Sequence, residues 1–505
     1  MAQNILEKTL FEQSVAGREG VSVPTTTEGF DMGRIVPREI LRKKPARLPE
    51  LSQLEIMRHF VRLSQLNHSI DSGFYPLGSC TMKYNPKICD WVSQLPGFTG
   101  LHPETPDAYS QGTLELLYRL QQYLKDLTGF TAVTLQPAAG AQGELVGMMM
   151  IKAYHEKRGD TKRNEVLIPD SAHGTNPASA AMCGFKVVEV PSGPDGLVNL
   201  AMLKAEISEK TAGIMLTNPN TLGLFEKDIL EITRLVHEAG GLCYYDGANL
   251  NAICGVARVA DMGFDVMHMN THKTFATPHG GGGPGSGPVL VNNTLAPFLP
   301  IPVVGYQNDE YYLDDDRPDS IGKVKVFYGN AEILLRAYAY VSCYGLDGLK
   351  EVAETAVLNA NYLKQSLKDF YHVAYPQTCM HEFILTSKFQ KDRDDHLNTM
   401  TLAKRLMDFG FHPPTVYFPL IVPEAMMIEP TETESKQTLD LFIEAMKQID
   451  TETKTNPELV INAPHTTPVK RVDEVYAARN PDLNFFHKSK TQKGLDVPTD
   501  SCSTC

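Results

Sequence analysis

TAVTLQPAAGAQGELVGMMMIKAYHEKRG, residues 131–159, decides the fold. TAVTLQ is apolar and β-branched enough for a strand, and GELVGMMMIKAYHEKRG has the length and pattern of a helix. A strand passing through a turn of small residues directly into a helix is half of a βαβ unit. Working outward, the rhythm repeats in the short apolar runs VLIPD, KVVEV, GIMLTN, LCYYD, DVMHM and PVLV. Helical segments separate several of them: a small-residue helix after VLIPD, a run from Asn199 to Lys210, and LFEKDILEITRLVHEAGG. The last ends on a Gly pair, as helices commonly do. Such alternation predicts an α/β fold with a mostly parallel sheet, whose strand C-terminal ends share the edge where ligands bind.

The flanks differ. Residues 1–95 are punctuated by proline around one clear helical stretch, LSQLEIMRHFVRLSQ from Leu51, and read as an arm laid over another surface or as a partly ordered leader. Residues 96–330 form the large domain. Residues 331–460 predict a smaller α+β domain, with helices at NAEILLRAYAYV, Val352 to Phe370, Leu402 to Phe409 and from Thr433, and short strands such as HEFILTS. Residues 461–505 read as a second arm ending in a flexible tail, SCSTC.

Composition narrows the function. The 505 residues are 42% apolar and 21% charged, with a formal net charge of −13. A surface that acidic repels nucleic acid and anionic membranes. The apolar run Val146 to Ile151 stops at Lys152, far short of a membrane span. Glu7 and Glu12 interrupt the N-terminal segment, so a secretory signal is not expected. Nine cysteines, an odd number without a repeating pattern, point to a reducing cytoplasm. Cys502 and Cys505 form a CxxC without a second pair, so no metal site is expected.

The residues that can carry chemistry cluster between Tyr245 and Val289, in YYDGANLNAI and MNTHKTFATPHGGGGPGSGPV. Asp246 ends one strand, and Lys273 follows another. Taken singly, Asp-Gly is a turn signal and a loop lysine is a solvated charge. Jointly, at the ends of separate strands, they match the two anchors of pyridoxal 5′-phosphate: a carboxylate for the pyridine nitrogen and an amine for the aldehyde. The turn Ala139–Gly140–Ala141 opens a helix and suits the phosphate, or is simply a tight turn; Thr271 can add a hydroxyl. His173, in DSAHGTNPASAA, can stack on the ring and act as acid or base, unless it is incidental to a helix cap. Asn218 can reach the phenolic oxygen, or merely form an Asn-Pro turn. The glycine-rich run 280–287 reads as a mobile flap or as a tight connector.

DSAHGTNPASA, YYDGANLNAI, NTHKTF, HGGGGPG and FYPLGSCTMKYNP resemble the glycine-cleavage P-protein, glycine dehydrogenase (decarboxylating), over about residues 10–483. The chain is similar to its lysine-bearing half, which some organisms make as a separate second subunit. The resemblance implies a type I pyridoxal-phosphate, aminotransferase-like fold and a heterotetramer with two copies each of subunits 1 and 2. It implies decarboxylation of glycine and transfer of the aminomethyl group to the lipoyl H-protein, an oxidoreductase acting on CH–NH2 with a disulfide acceptor. It places Lys273 on the Schiff-base lysine, Asp246 on the ring-nitrogen partner and His173 on the stacking histidine. Ala139 to Ala141 and Thr271 fall in the phosphate cup, and Ser79, Cys80 and Thr81 in a motif near the cofactor and substrate. Alternatives are another type I enzyme, such as an aminotransferase or aldolase, or a non-catalytic scaffold subunit. The sequence does not identify the group that grips a substrate carboxylate; Arg317 and Arg336 are the arginines considered.

Overall fold

The computed structural model describes residues 7–21, 33, 35–44, 46–278, 285–481, 483 and 485. Its centre is a seven-stranded sheet of β1 (Ala132–Thr134), β2 (Glu165–Pro169), β3 (Lys186–Val190), β4 (Thr211–Thr217), β5 (Leu242–Gly247), β6 (Val266–Met269) and β7 (Val289–Val291). The order is β1-β7-β6-β5-β4-β2-β3. Strands β2 to β6 pair in parallel, whereas β7 runs antiparallel to both β6 and β1. The expected parallel sheet is present, with PVLV inserted in reverse. A run that short carries no signal of direction, because either orientation buries the same side chains.

Alternation along the strands divides the core into two layers. Tyr245, Met267 and Leu290 face helices Gln111–Thr128, Ile229–Glu238 and the first half of Ala331–Leu367. Tyr244, Val266 and Val289 face helix Gly140–Lys157, through Val146, Met150 and Ile151. Each large apolar side chain so buried contributes about 1.5–3 kcal/mol. A hairpin, β8 (Val303–Gln307) with β9 (Glu310–Asp314), follows the sheet.

A second sheet is antiparallel: β10 (His372–Val373), β11 (Phe383–Thr386), β12 (Thr415–Val416) and β13 (Ala425–Ile428), in the order β10-β11-β13-β12. Phe383, Leu385, Met426 and Ile428 pack on helices Thr399–Asp408 and Lys436–Thr455. The two helices expected after Asn330 form one element, Ala331–Leu367, broken at Gly345, whose φ of 61° and ψ of −173° leave the helical region. The run expected from Asn199 to Lys210 is shorter, Leu200–Glu206, with the Asn199 side chain accepting from Ala201 and Met202. No helix among the described residues is long and apolar enough to cross a membrane.

Candidate active site

The C-terminal edge of the large sheet meets the smaller sheet around a cavity of about 440 Å³. That lies within the roughly 300–1,000 Å³ of small-molecule sites. Asp246 enters from the end of β5, Thr217 from β4, Asn270 and Lys273 from the segment after β6, and His173 from the segment after β2. Gly78, Ser79 and Cys80 close it from the N-terminal segment, and Thr415 and Phe418 from the region of β12.

Asp246 is 2% exposed. Its Oδ2 accepts from Asn176 Nδ2 at 3.0 Å and its Oδ1 from the Ala248 amide at 2.9 Å. His268 Nε2 stands 3.4 Å from Oδ1. Burial alone would raise this carboxyl; His268, the Asn176 bond, Lys273 and the Ala248 amide outweigh it and hold the group below its ordinary value. Glu144, on helix Gly140–Lys157, takes the opposite state. Burial and the neighbouring Asp246 charge push it up to about 9, with Asn176 Nδ2 also donating to it at 3.1 Å. Two close buried carboxyls cannot both ionise, and here Asp246 takes the charge while Glu144 keeps its proton. Burial lowers His268, and the Tyr244 hydroxyl lies 2.8 Å from its Nδ1. A neutral ring accepting there turns an Nε2–H towards Asp246. An ionised aspartate backed by neutral groups fits a protonated ring nitrogen.

The opposite end suits a phosphate. Ala139 caps helix Gly140–Lys157 without a side-chain acceptor, leaving first-turn amides for an anion. The turn is tight: Gly140 lies against the Asn270 side chain, and Gly287 lies against the backbone of the turn. A Cβ at Gly140 would fall 1.6 Å from Asn270 Oδ1, and one at Gly287 would fall 2.1 Å from Ala139 O. Asn270 Oδ1 is buried without a partner, as is Thr217 Oγ1 on the cavity wall. The cavity, the carboxylate, the amine and the anion cradle together fit pyridoxal 5′-phosphate.

Of the residues singled out from the sequence, Lys273, Asp246, His173, Ala139, Gly140, Ala141, Ser79 and Cys80 share this cavity. Three do not line it. Asn218 is buried, its Oδ1 accepting from the Glu226 amide at 2.9 Å, and β4 offers Thr217 to the cavity instead. The Thr271 hydroxyl bonds to Ser286 O at 3.1 Å, so this residue braces the wall from behind. Thr81 is 3% exposed and gives its amide to Glu429 at 3.0 Å. Arg317 bonds to Ala296 O, and Arg336 pairs with Asp90 and Glu332; neither lines the cavity. His173 stands at the mouth, with its Nδ1 against the Thr175 hydroxyl; the surrounding protein, which partly shields the ring from water, and Lys273 lower its pKa. The expected flap falls largely on residues 279–284, outside the described residues; Gly285 to Gly287 are packed beneath the Ala139 turn. The Cys502/Cys505 tail lies outside them too.

Sequence reasoning missed Glu144, Asn176 and His268. Glu144 lies one residue past the AAGAQG turn, and His268 sits inside the strand reading DVMHM. A polar residue in an otherwise buried strand is the signal that could have exposed His268.

Residues 29–313 match the family model described as glycine cleavage system P-protein, and residues 352–467 that of glycine dehydrogenase, C-terminal domain. The chain is 58% identical over 477 residues to the probable glycine dehydrogenase (decarboxylating) subunit 2 of Caldanaerobacter subterraneus, covering 94% of this chain and 98% of that one. It is 58% identical over 484 residues to its counterpart of the same name in Listeria innocua, covering 95% and 99%. Among solved structures, it is similar to glycine decarboxylase (P-protein) of the glycine cleavage system in inhibitor-bound form, with a TM-score of 0.70 at 21% identity, covering 83% of this chain and 94% of that one. Lactobacillus brevis glutamate decarboxylase gives 0.63 at 15% identity, covering 82% and 95%. Both likenesses concern the fold, which is that of type I pyridoxal-phosphate enzymes.

Proposed function

This chain belongs to the glycine cleavage system P-protein family, and on that premise we propose that it decarboxylates glycine and passes the aminomethyl group to the lipoyl arm of the H-protein. The observation that carries the reading is the convergence of Lys273 and Asp246, from the ends of neighbouring strands, on one cavity. Pyridoxal 5′-phosphate, when bound, supplies an aldehyde for an amine and a sink for the electrons of the Cα–carboxylate bond. Lys273 presents its amine to that aldehyde. Asp246 holds a proton at the ring nitrogen, and its burial beside the protonated Glu144 keeps water from competing. The Gly140 and Ala141 amides hold the phosphate at the helix N-terminus. His173, neutral because its pKa is lowered, covers the ring at the mouth and can exchange a proton there.

The pair freed from the carbon–carboxylate bond forms a carbon–sulfur bond and breaks the lipoyl S–S bond. The second sulfur takes one proton, and CO2 leaves. A cavity with an open mouth suits delivery of a lipoyl arm. The relatives' designation as a second subunit supports a partner, subunit 1, and we assign a two-plus-two assembly. Free thiols at Cys80, Cys89, Cys183, Cys243, Cys254, Cys343 and Cys379 are in keeping with a cytoplasmic setting.

Borohydride reduction followed by peptide mass spectrometry tests the anchor. The holoenzyme should lose its visible band and carry the cofactor mass on Lys273, and Lys273→Ala should be colourless. Paired with subunit 1 and lipoyl protein, the chain should exchange bicarbonate into the glycine carboxylate. Transamination without that exchange would replace the reading with another type I reaction, and a colourless parent would leave a scaffold.

A further inference from the structure

Residues 76–81 leave the N-terminal segment and join the smaller sheet. Leu77 bridges Ile428 in antiparallel fashion, and Pro76 O accepts from the Glu429 amide at 3.4 Å. Gly78 fits because a Cβ there would stand 2.2 Å from Met427 Cγ, and Thr415 Oγ1 donates to Gly78 O at 2.7 Å. Beyond it the backbone is strained. Ser79 and Thr81 both take left-handed conformations, with φ of 66° and 51°. Such conformations persist only where the surroundings over-determine them.

Two buried acids supply the opposing force. The Ser79 amide donates to Glu382 Oε2 at 2.8 Å, and the Thr81 amide to Glu429 Oε2 at 3.0 Å. Phe383 pairs with Ile428, so Glu382 and Glu429 follow as cross-strand neighbours at the mouth of the β11–β13 ladder. Both are 0% exposed, as is His381 beside them. Each acid supplies a carboxyl oxygen to one strained amide, and either amide would be left buried without an acceptor if that acid were removed. Burial raises both acids, Glu429 to about 7 and Glu382 further still. The groups facing them are each other, His381, Lys273, Cys80 and Asn251. Leaving two carboxyls in the protein interior is expensive, and nothing in the cofactor cradle requires it.

We propose that Glu382 and Glu429 are positioning residues, locking the Ser79-Cys80-Thr81 turn in its left-handed form and so fixing the wall of the cavity opposite Asp246. Cys80, held between the two clamped residues, is the side chain this lock places at the cavity. That the wall serves glycine decarboxylation rests on the function proposed above; the lock itself does not.

The test uses the full chain with subunit 1. Its first measurement is Cys80 alkylation by iodoacetamide, followed by mass spectrometry; its second is glycine–bicarbonate exchange. Glu382→Ala should speed Cys80 alkylation and lower kcat, each by roughly tenfold or more, as the turn relaxes. Adding Ser79→Gly to that chain should bring Cys80 alkylation back to within about threefold of the parent, because glycine takes the same φ without strain. Glu382→Gln, which keeps an acceptor for the Ser79 amide, should stay within about threefold. Should Glu382→Ala fail to fold, Glu429→Ala with Thr81→Gly as its rescue carries the same test. Unchanged Cys80 reactivity in the Ala variants, or no recovery on adding glycine, overturns the lock. A parent with normal Cys80 protection but no exchange overturns the functional reading and leaves the lock standing.

Discussion

At the scale of single residues, the site works by giving neighbouring carboxyls opposite protonation. Asp246→Asn keeps the shape and the Asn176 and Ala248 neighbours but cannot hold a proton at a ring nitrogen. Exchange should fall about 10²–10³-fold while the Lys273 adduct still forms, a result checked by kcat alongside the borohydride-reduced peptide. Glu144 gives a prediction in stability. Its folded value of about 9 lies above its ordinary 4.5, so the fold resists its ionisation. Stability from this group is fully present below the lower value and is lost as pH rises towards the upper one. Glu144→Gln removes that dependence. The melting temperature of the variant minus that of the parent should therefore rise between about pH 5 and pH 9, by several degrees. A difference flat with pH would mean that Glu144 ionises in the fold. Asp246 and Lys273 stood out in the sequence because one lies at the end of a strand of recognisable pattern and the other soon after the next such strand. Glu382 and Glu429 were not, since each lies some three hundred residues from the amide it holds, a pairing no local pattern records.

At the scale of elements, the cradle depends on close backbone approach. The small residues of PAAGAQG announced a tight turn, but what they approach, Asn270 and the 285–287 segment, is set by the β6–β7 pairing. Gly140→Ala puts a methyl group onto Asn270 Oδ1, so either the helix start or the Asn270 loop must move. Cofactor affinity should weaken by roughly tenfold or more, read as a dissociation constant from the visible band, with the melting temperature of the cofactor-free chain falling by only a few degrees. An unchanged constant would place the phosphate elsewhere. The parallel direction of β2 to β6 was legible from the alternation of strands and helices, but the order of those strands was not. The reversal of β7 was hidden, and so was the merging of two helices into Ala331–Leu367, because an isolated Gly345 reads equally as a break or a loop.

At the scale of the whole molecule, the described N-terminal segment carries a row of exposed apolar side chains. Helix Gln53–Leu66 starts from a capping box, Ser52 with Glu55, yet His59 is its buried residue. Leu54, Met57, Phe60, Val61 and Leu66 are exposed, and Ile88 and Trp91 follow on the next helix, Lys87–Ser93. An apolar face left open along this helix is one a partner can cover. From the sequence, the prolines of residues 1–95 fit an arm laid over another surface and a partly ordered leader equally well. With subunit 1 as the second surface, adding it should slow amide hydrogen exchange across residues 53–66 and raise glycine–bicarbonate exchange together, with half-saturation at the same subunit 1 concentration. Phe60→Asp should shift both midpoints upward by about tenfold or more, since a charge in an apolar contact is left unpaired. It should leave the Lys273 adduct intact, because the helix does not line the cavity. Activity that rises without protection of this helix would put the partner on another face, and full activity of the chain alone would remove the need for a partner at all.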